Sequence, residues 1–200
     1  MPRWLWILLA SLLLVVVLVV HSSHSAKARG PGVLAPDDPV QTDIDHGAPF
    51  RDGDYTLTPL ADFSLTARVL SRADYGWDRS SALSPTDFAF GWGRMSDSSV
   101  LAGLDISQSG RWYFYHWGTA APPIPQDEII RSSANMHMVP ADDTVRSEIR
   151  HVRQGDVVHL EGQLIEARGN DGSIWRSSTT RTDTGDGACE VVYVRRLVVM

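Results

Sequence analysis

The chain has 200 residues, and its 24 acidic side chains outnumber its 18 lysine and arginine side chains to give a net charge of −6. An acidic chain without a basic stripe has no electrostatic support for nucleic-acid binding, so we expect no nucleic-acid partner. Cys189 is the only cysteine, which excludes an intrachain disulfide. Two interpretations of Cys189 stay open: a small buried residue in a strand, or a partner in an intermolecular disulfide.

The first element is an apolar run from Trp4 to Val20 without charge, proline or glycine. A helix of these 17 residues would span about 25 Å, close to the roughly 30 Å of a bilayer core. We therefore predict a transmembrane anchor over residues 1–22. Two alternatives stay open, namely a buried helix and a signal peptide cleaved near Ala26-Lys27-Ala28.

The charges that flank the apolar run are nearly balanced, with Arg3 before it and Lys27 and Arg29 after it. The positive-inside rule therefore does not decide the orientation. A short N-terminus, one helix and a large C-terminal part are typical of an exported domain. We predict a single-pass protein of the cell membrane whose domain faces the periplasm or the exterior.

Residues 23–50 are rich in proline, glycine, serine and aspartate and have no sustained apolar period, which predicts a flexible linker. A β-rich soluble domain is predicted over residues 51–200. Its first strand covers Tyr55–Ser71, and Pro59 predicts a break or an edge position within it. Period-two alternation in the second half indicates a half-buried strand, with these residues on the buried face: Phe63, Leu65, Ala67 and Val69.

The middle of the chain is predicted to contain two short helical pieces. Ser84-Pro85-Thr86-Asp87 resembles a helix entry with proline in the first turn, so Phe88–Trp92 is predicted as a short apolar helix. Ser96–Leu104 is predicted as a second helical turn. A longer helix is predicted over Pro140–Gln154, with Asp142 or Asp143 as its N-cap and a stripe formed by Val145, Ile149 and Val152.

The densest aromatic stretch of the chain is Gly110–Gly118 (GRWYFYHWG), which predicts a strand with rings on both faces. An exposed aromatic face would stack on a sugar ring, a peptide or a partner domain. The alternative is that both faces are buried. The residues predicted to bind are Trp112, Tyr113, Tyr115, His116 and Trp117.

Three C-terminal segments read as strands separated by turns: Val157–Arg168, Ser173–Arg181 and Ala188–Val199. We predict a three-stranded meander with a bulge near Gly162. The fold class is thus an N-terminal transmembrane helix plus a mainly β (α+β) domain. The domain is predicted as a small, partly open, OB-like β-barrel with one inserted helix, and a generic α+β sandwich is the alternative.

Four segments resemble a family of uncharacterised bacterial membrane-anchored proteins of unknown function: SPTDFAFGWGRMSD, LDISQSGRWYFYHW, SANMHMVPADD and TRTDTGDGACEVVYV. The similarity covers about residues 50–198. It implies a bacterial origin and a single domain, and it brings no activity, cofactor or catalytic residue to the chain.

We predict a binding or scaffolding module of the envelope, with an envelope protein or a glycan as partner and no cofactor. A first alternative is an envelope hydrolase that pairs a nucleophile with a base, the candidates being Cys189, Ser107 and Ser109 with His116, His137 and His159. A second alternative is copper handling through the soft ligands Met136, His137 and Met138. The loop over residues 182–187 does not match a calcium-binding spacing and reads as a plain turn.

Overall fold

The structure is a computed structural model that describes Trp6 and residues 26–76, 79–180 and 188–200. These residues are mainly β and form one large sheet and a separate two-stranded hairpin. The predicted anchor lies outside the described residues apart from Trp6. In the described part, no helix is long and apolar enough to cross a membrane.

The strands in chain order are β1 (Val40–Asp43), β2 (Phe50–Asp52), β3 (Tyr55–Asp74), β4 (Thr86–Gly91), β5 (Asp105–Ser109), β6 (Trp112–His116), β7 (Ser133–Pro140), β8 (Val157–Gly169), β9 (Ile174–Arg176) and β10 (Glu190–Val199). The helices are α1 (Ser98–Leu101), α2 (Gln126–Arg131) and α3 (Asp143–His151). Single 3₁₀ turns cover Arg79–Ala82 and Gly93–Ser96.

The large sheet is partly closed. Strands β3, β4, β7, β10 and β8 pair in that order, and β8 pairs again with β3. The pair β7–β10 is parallel, whereas the other pairs along this path are antiparallel. Strands β1 and β2 lie beside β3, and β9 lies beside β8. The path of hydrogen bonds therefore returns to its first strand and surrounds one interior.

The interior is filled by the alternate, inward-facing residues of these strands. The prediction for β3 is confirmed, because Phe63, Leu65, Ala67 and Val69 are all buried in the main core. The predicted helix is confirmed as α3, which packs Val145 and Ile149 on the same core. Asp142 is its N-cap, since its carboxylate accepts a hydrogen bond from the Val145 amide at 2.9 Å.

The helix predicted for Phe88–Trp92 is wrong. Residues 86–91 form strand β4, which pairs with β3 on one side and with β7 on the other. Every residue of β4 is buried, so its sequence reads as a nearly continuous apolar run that local periodicity does not separate from a helix. The predicted second helical turn is confirmed as α1 (Ser98–Leu101), which Asp97 caps.

The predicted three-stranded meander is also wrong. Strand β10 pairs with β8 and β7 rather than with β9, and β9 is a three-residue strand beside β8. The bulge predicted near Gly162 of β8 lies on the neighbouring strand β10. The register between the two strands shifts between Val194, which pairs with Gly162, and Arg196. These pairings depend on long-range contacts that the order of strands along the chain does not reveal.

Part of the segment predicted as a linker contacts the sheet. Residues 40–43 form β1 and pair with β3. Ala35 is fully buried and accepts a hydrogen bond from the Gly93 amide at 2.8 Å, and the Lys27 amide donates to Gln154 at 2.7 Å. These contacts join parts of the described residues 26–50 to the sheet.

Candidate functional site

Strands β4 and β7 carry polar side chains on the face turned away from the core. Asp87 and His137 are partners in the register of the two strands, and Asn135 lies two residues before His137 on the same face. These three side chains are at least 96% buried, with exposures of 0%, 3% and 4%. Because strand residues alternate between faces, Phe88 and Met136 point into the core instead.

The Asp87 carboxylate lies between two cationic or polar partners. Its Oδ2 is 2.9 Å from His137 Nδ1, and its Oδ1 accepts a hydrogen bond from Arg111 at 3.1 Å. A buried carboxylate is costly unless it is paired, and Arg111 supplies the countercharge. The 2.9 Å contact between His137 Nδ1 and Asp87 Oδ2 lacks hydrogen-bond geometry, and within the described residues neither atom has another hydrogen-bond partner.

Arg111 reaches Asp87 from the tip of the β5–β6 hairpin. Gly110 and Arg111 form its two-residue turn with φ values of 57° and 68°. A left-handed backbone is unfavourable for arginine and persists where side-chain contacts hold it. Here the guanidinium donates to the Ser84 carbonyl at 3.1 Å and lies 4.0 Å from the Tyr75 ring centroid and 5.1 Å from that of Trp175.

Cys189 lies just before β10, beside the same hairpin tip. Its Sγ is 3.8 Å from Asn135 Nδ2 and 3.9 Å from the Arg111 carbonyl oxygen. Asn135 Nδ2 also donates to that carbonyl at 3.0 Å, and Gln108 donates to Asn135 Oδ1 at 2.6 Å. The two hydrogen bonds at opposite ends of the amide fix its orientation, so its nitrogen faces the thiol.

These groups open onto a cleft of about 520 Å³. That volume lies within the roughly 300–1,000 Å³ of small-molecule sites. Aromatic side chains, among them Trp112 and Trp175, line it together with His137 and Cys189. The rings of His137 and Trp175 are 4.4 Å apart at their centroids. The cleft thus combines apolar walls with a thiol and an imidazole.

Tyr75 completes the polar cluster behind the cleft. Burial, together with the negative charge of the neighbouring Asp87 carboxylate, raises the pKa of Tyr75 to about 12. The phenol therefore keeps its proton throughout the physiological range, and its ring stays an uncharged platform for the Arg111 guanidinium.

The predicted aromatic binding residues divide between the two faces of strand β6 and the residue that follows it. Tyr113, Tyr115 and Trp117 are half-buried, and the rings of the last two stack at 6.3 Å. Trp112 and His116 share the exposed face with Phe114. Among the predicted five, Trp112 alone lines the cleft, with 38% of its surface exposed.

Most of the other predicted site residues do not meet. Met136 and Met138 are buried in the core, whereas His137 lies on the opposite face, so the three side chains do not converge. His159 bonds to Thr66 and Glu161 outside the cleft. The exposed hairpin carries Ser107, Ser109 and His116. Among the nucleophile and base candidates, Cys189 and His137 do line one cleft.

Sequence reasoning missed four residues of this cluster: Asp87, Arg111, Asn135 and Trp175. One local signal existed, because Asp87 is an acid inside an otherwise apolar strand, and a buried acid requires a partner. The partner itself, Arg111, lies 24 residues away. No periodic pattern connects two residues at that separation.

No protein-family model, curated protein or solved structure matches the chain. Within the described residues, no group of three or more His, Cys, Asp or Glu side chains is arranged to hold a metal ion. The loop over residues 182–187 lies outside those residues.

Proposed function

We propose that the chain is a membrane-anchored protein of the bacterial envelope whose β-rich domain binds a glycan in the cleft beside Cys189. The observation that carries this proposal is the cleft of about 520 Å³ with Trp112 and Trp175 among its walls. Flat aromatic rings stack on sugar rings through their apolar faces, and polar groups in the cleft would accept and donate hydrogen bonds to sugar hydroxyls.

The order of the strands supports an OB-like barrel as the scaffold. Strands β3, β4, β7, β8 and β10 would be its five strands, with α3 inserted between the third and the fourth. OB folds bind oligonucleotides and oligosaccharides on the face of the second and third strands, between the loops that follow the first and fourth. Here those strands are β4 and β7. The corresponding loops supply Ser80, Trp175 and Cys189 to the cleft.

The charge of the chain favours a glycan over an oligonucleotide. Nucleic-acid binders neutralise phosphates with clustered basic side chains, whereas this chain has a net charge of −6. Both arginines that line the cleft are already paired, Arg111 with Asp87 and Arg176 with Glu166. An uncharged sugar chain demands no countercharge.

A titration of the full-length chain in mild detergent with a chitin hexasaccharide, followed by isothermal calorimetry, tests the proposal. We expect binding that Trp112→Ala weakens about tenfold or more, equivalent to 1.4 kcal/mol. Phe114→Ala is the matched control, because Phe114 lies on the same exposed strand face but does not line the cleft. Absence of binding, or equal losses in both variants, would contradict a glycan site in the cleft.

The envelope location needs a separate test. A reporter enzyme that is active only outside the cytoplasm would be fused after Met200, and the mass of the mature protein would be measured. An active reporter with the N-terminal segment retained is expected. An inactive reporter would contradict the envelope assignment without bearing on the cleft.

A further inference from the structure

A second pocket, of about 580 Å³, lies between the end of α3 and the adjacent ends of β3 and β4. Its described lining contains four arginines and one histidine but a single acid, Asp74, although the whole chain has a net charge of −6. We propose that this pocket binds a phosphomonoester group, carried by a small molecule or by a lipid headgroup. No described residue lines both this pocket and the cleft beside Cys189, so the inference does not depend on the glycan site.

One arginine of this pocket, Arg72, is fully used by the fold. Its Nε and Nη2 donate to the Asp74 carboxylate at 2.8 Å each, and its Nη1 donates to the carbonyls of Ile149 and Val152 at 2.8 and 2.6 Å. Thr86 donates a further hydrogen bond to Asp74 at 2.8 Å. The acid in the lining is thus already neutralised, and the carbonyls at the end of α3 already have a donor.

The other three arginines have no comparable role. Within the described residues, the side chains of Arg150 and Arg153 make no hydrogen bond or ion pair, and both are exposed. The ion pair of Arg146 in this part of the chain is with the exposed Asp143, at 3.8 Å, where solvent screens it. Cations in the last turn of a helix usually stabilise its dipole, but Arg72 already meets the terminal carbonyls. The pocket therefore carries three positive charges that the described fold does not use.

The spacing of these arginines is unfavourable in the absence of an anion. Arg146 and Arg150 are four residues apart in α3, so they lie on the same face of the helix, and both line the pocket. Like charges at this spacing destabilise a helix. Arg153 follows the C-cap residue Val152 and lines the same pocket, which adds a third positive charge. An anion that contacts all three guanidinium groups would remove this repulsion.

The three arginines favour a phosphomonoester over a carboxylate as the ligand group. A planar guanidinium presents paired N–H donors that match the oxygens of either group. A carboxylate offers two oxygens and one negative charge, whereas a phosphomonoester offers three terminal oxygens and a charge of about −1.5 to −2 at pH 7. The pocket volume is typical of small-molecule sites, and Pro85, Pro140 and Ile149 supply apolar surface for the organic part of the ligand.

Two sources of the phosphomonoester are compatible with the position of the pocket. A small phosphorylated molecule would enter it from solution. A lipid headgroup would reach it from a membrane, because the N-terminal segment meets the chain beside the pocket. The Lys27 amide donates to the carbonyl of Gln154, which directly follows Arg153, at 2.7 Å. The lipid source, unlike the pocket itself, rests on the membrane anchor of the proposed function.

Isothermal calorimetry of the full-length chain in non-ionic detergent at about 0.15 M salt tests the proposal. The ligands are sn-glycerol 3-phosphate as the small molecule and dihexanoyl phosphatidic acid as the lipid, each corrected for a titration into detergent alone. We expect saturable binding that the double variant Arg150→Ala, Arg153→Ala weakens about tenfold or more. The matched control, Arg131→Ala with Arg196→Ala, removes the same charge from exposed arginines outside the pocket and should leave the affinity unchanged. Sodium acetate should not compete.

Two further readouts separate a phosphate site from other roles of the arginines. Arg150→Lys with Arg153→Lys keeps both charges but removes the paired donors, so we expect a weaker affinity than in the wild type. An undiminished affinity would reduce the site to general attraction and contradict the proposal. If the arginines only stabilised the helix end, the alanine variant would unfold more easily without ligand and bind as tightly as the wild type. We expect the reverse, with a free energy of unfolding that is unchanged or higher.

The outcomes also identify the source of the phosphate. Equal affinity for the two ligands would assign a small molecule, because the acyl chains then contribute nothing. Tighter binding of the phosphatidic acid, lost in the alanine variant, would assign a lipid headgroup. No binding of either ligand by the wild type, or equal losses in the alanine variant and its control, would overturn the proposal. Hexasaccharide binding is measured separately, so a failure of the glycan site and a failure of this pocket are distinguishable.

Discussion

The two faces of strands β4 and β7 differ in polarity although they alternate residue by residue. The inward face carries Phe88, Phe90, Met136 and Met138, all with 0% exposure. The outward face of the same strands carries Asp87, Asn135 and His137, which are nearly as buried but polar. Burial alone therefore does not distinguish a core from a site.

The difference shows which buried side chains can be replaced by other residue types. A core side chain needs only apolar volume, and many residues supply that. A buried charge needs a specific partner at a specific place, and here the partner arrives from a hairpin tip with a left-handed backbone at Arg111. An arrangement of this kind is typical of functional sites, where local strain is tolerated.

The largest effect on stability is expected at the inward face. Phe88→Ala removes a fully buried ring from the core and should lower the free energy of unfolding by about 3–5 kcal/mol. Urea denaturation of the full-length chain measures it. Phe114→Ala, with its ring 41% exposed, should change stability by less than about 0.5 kcal/mol. Similar losses in both variants would contradict the assignment of the two environments.

The next effect is expected at the outward face. Arg111→Ala leaves the fully buried Asp87 carboxylate without its countercharge and should cost about 3 kcal/mol. Arg131→Ala is the control, because its pair with Asp127 is exposed to solvent, which screens the interaction. If Arg111→Ala were as mild as Arg131→Ala, the polar cluster would not depend on the hairpin tip.

A smaller effect is expected at α3, which covers the core without touching the cleft. Asp142→Ala removes the N-cap of the helix and should cost about 1 kcal/mol, whereas Asp143→Ala, next to it, should cost little. Denaturation curves of the two variants decide between the caps. Neither change should alter Cys189 alkylation, and a change in alkylation would show that the two regions are coupled.

The smallest effect is expected in the alkaline range. Tyr75 has a pKa of about 12 in the fold against about 10 in an unfolded chain. Between these values the unfolded state has lost the proton that the folded state retains, so stability falls as pH rises from 10 to 12. Tyr75→Phe should flatten that fall. Compared with the wild type, a pH titration of phenolate absorbance should show that Tyr75→Phe lacks one tyrosine that titrates near pH 12. Loss of a tyrosine that titrates near pH 10 would contradict this assignment.

Local patterns were sufficient where local physics decides the structure. The alternation in β3, the cap and stripe of α3 and the two-faced aromatic strand β6 followed from period and capping alone. The mainly β, partly closed sheet also agrees with the predicted class. Strand β4 was mistaken for a helix because both of its faces are buried, with Phe88 and Phe90 in the main core and Ala89 in a second apolar cluster, which removes the alternation.

The site was predicted only in pieces. Cys189 and His137 were named as candidates and Trp112 as a binding residue, but nothing local brought them to one cleft. Their meeting depends on the parallel pairing of β7 with β10 and on the insertion of the hairpin tip. Both are long-range contacts, which a single sequence does not encode in any short window.

The most direct test of the central claim, that His137 of β7 lies in a binding cleft together with the β5–β6 hairpin tip and β9, is ¹⁹F NMR of the full-length chain labelled with 5-fluorotryptophan. The chain has seven tryptophans, assigned by single Trp→Phe changes. On addition of the chitin hexasaccharide we expect the signals of Trp112 and Trp175 to shift, and those of Trp92 in the core and Trp117 behind the hairpin to stay unchanged. Unchanged Trp112 and Trp175 signals at saturating ligand would contradict the account.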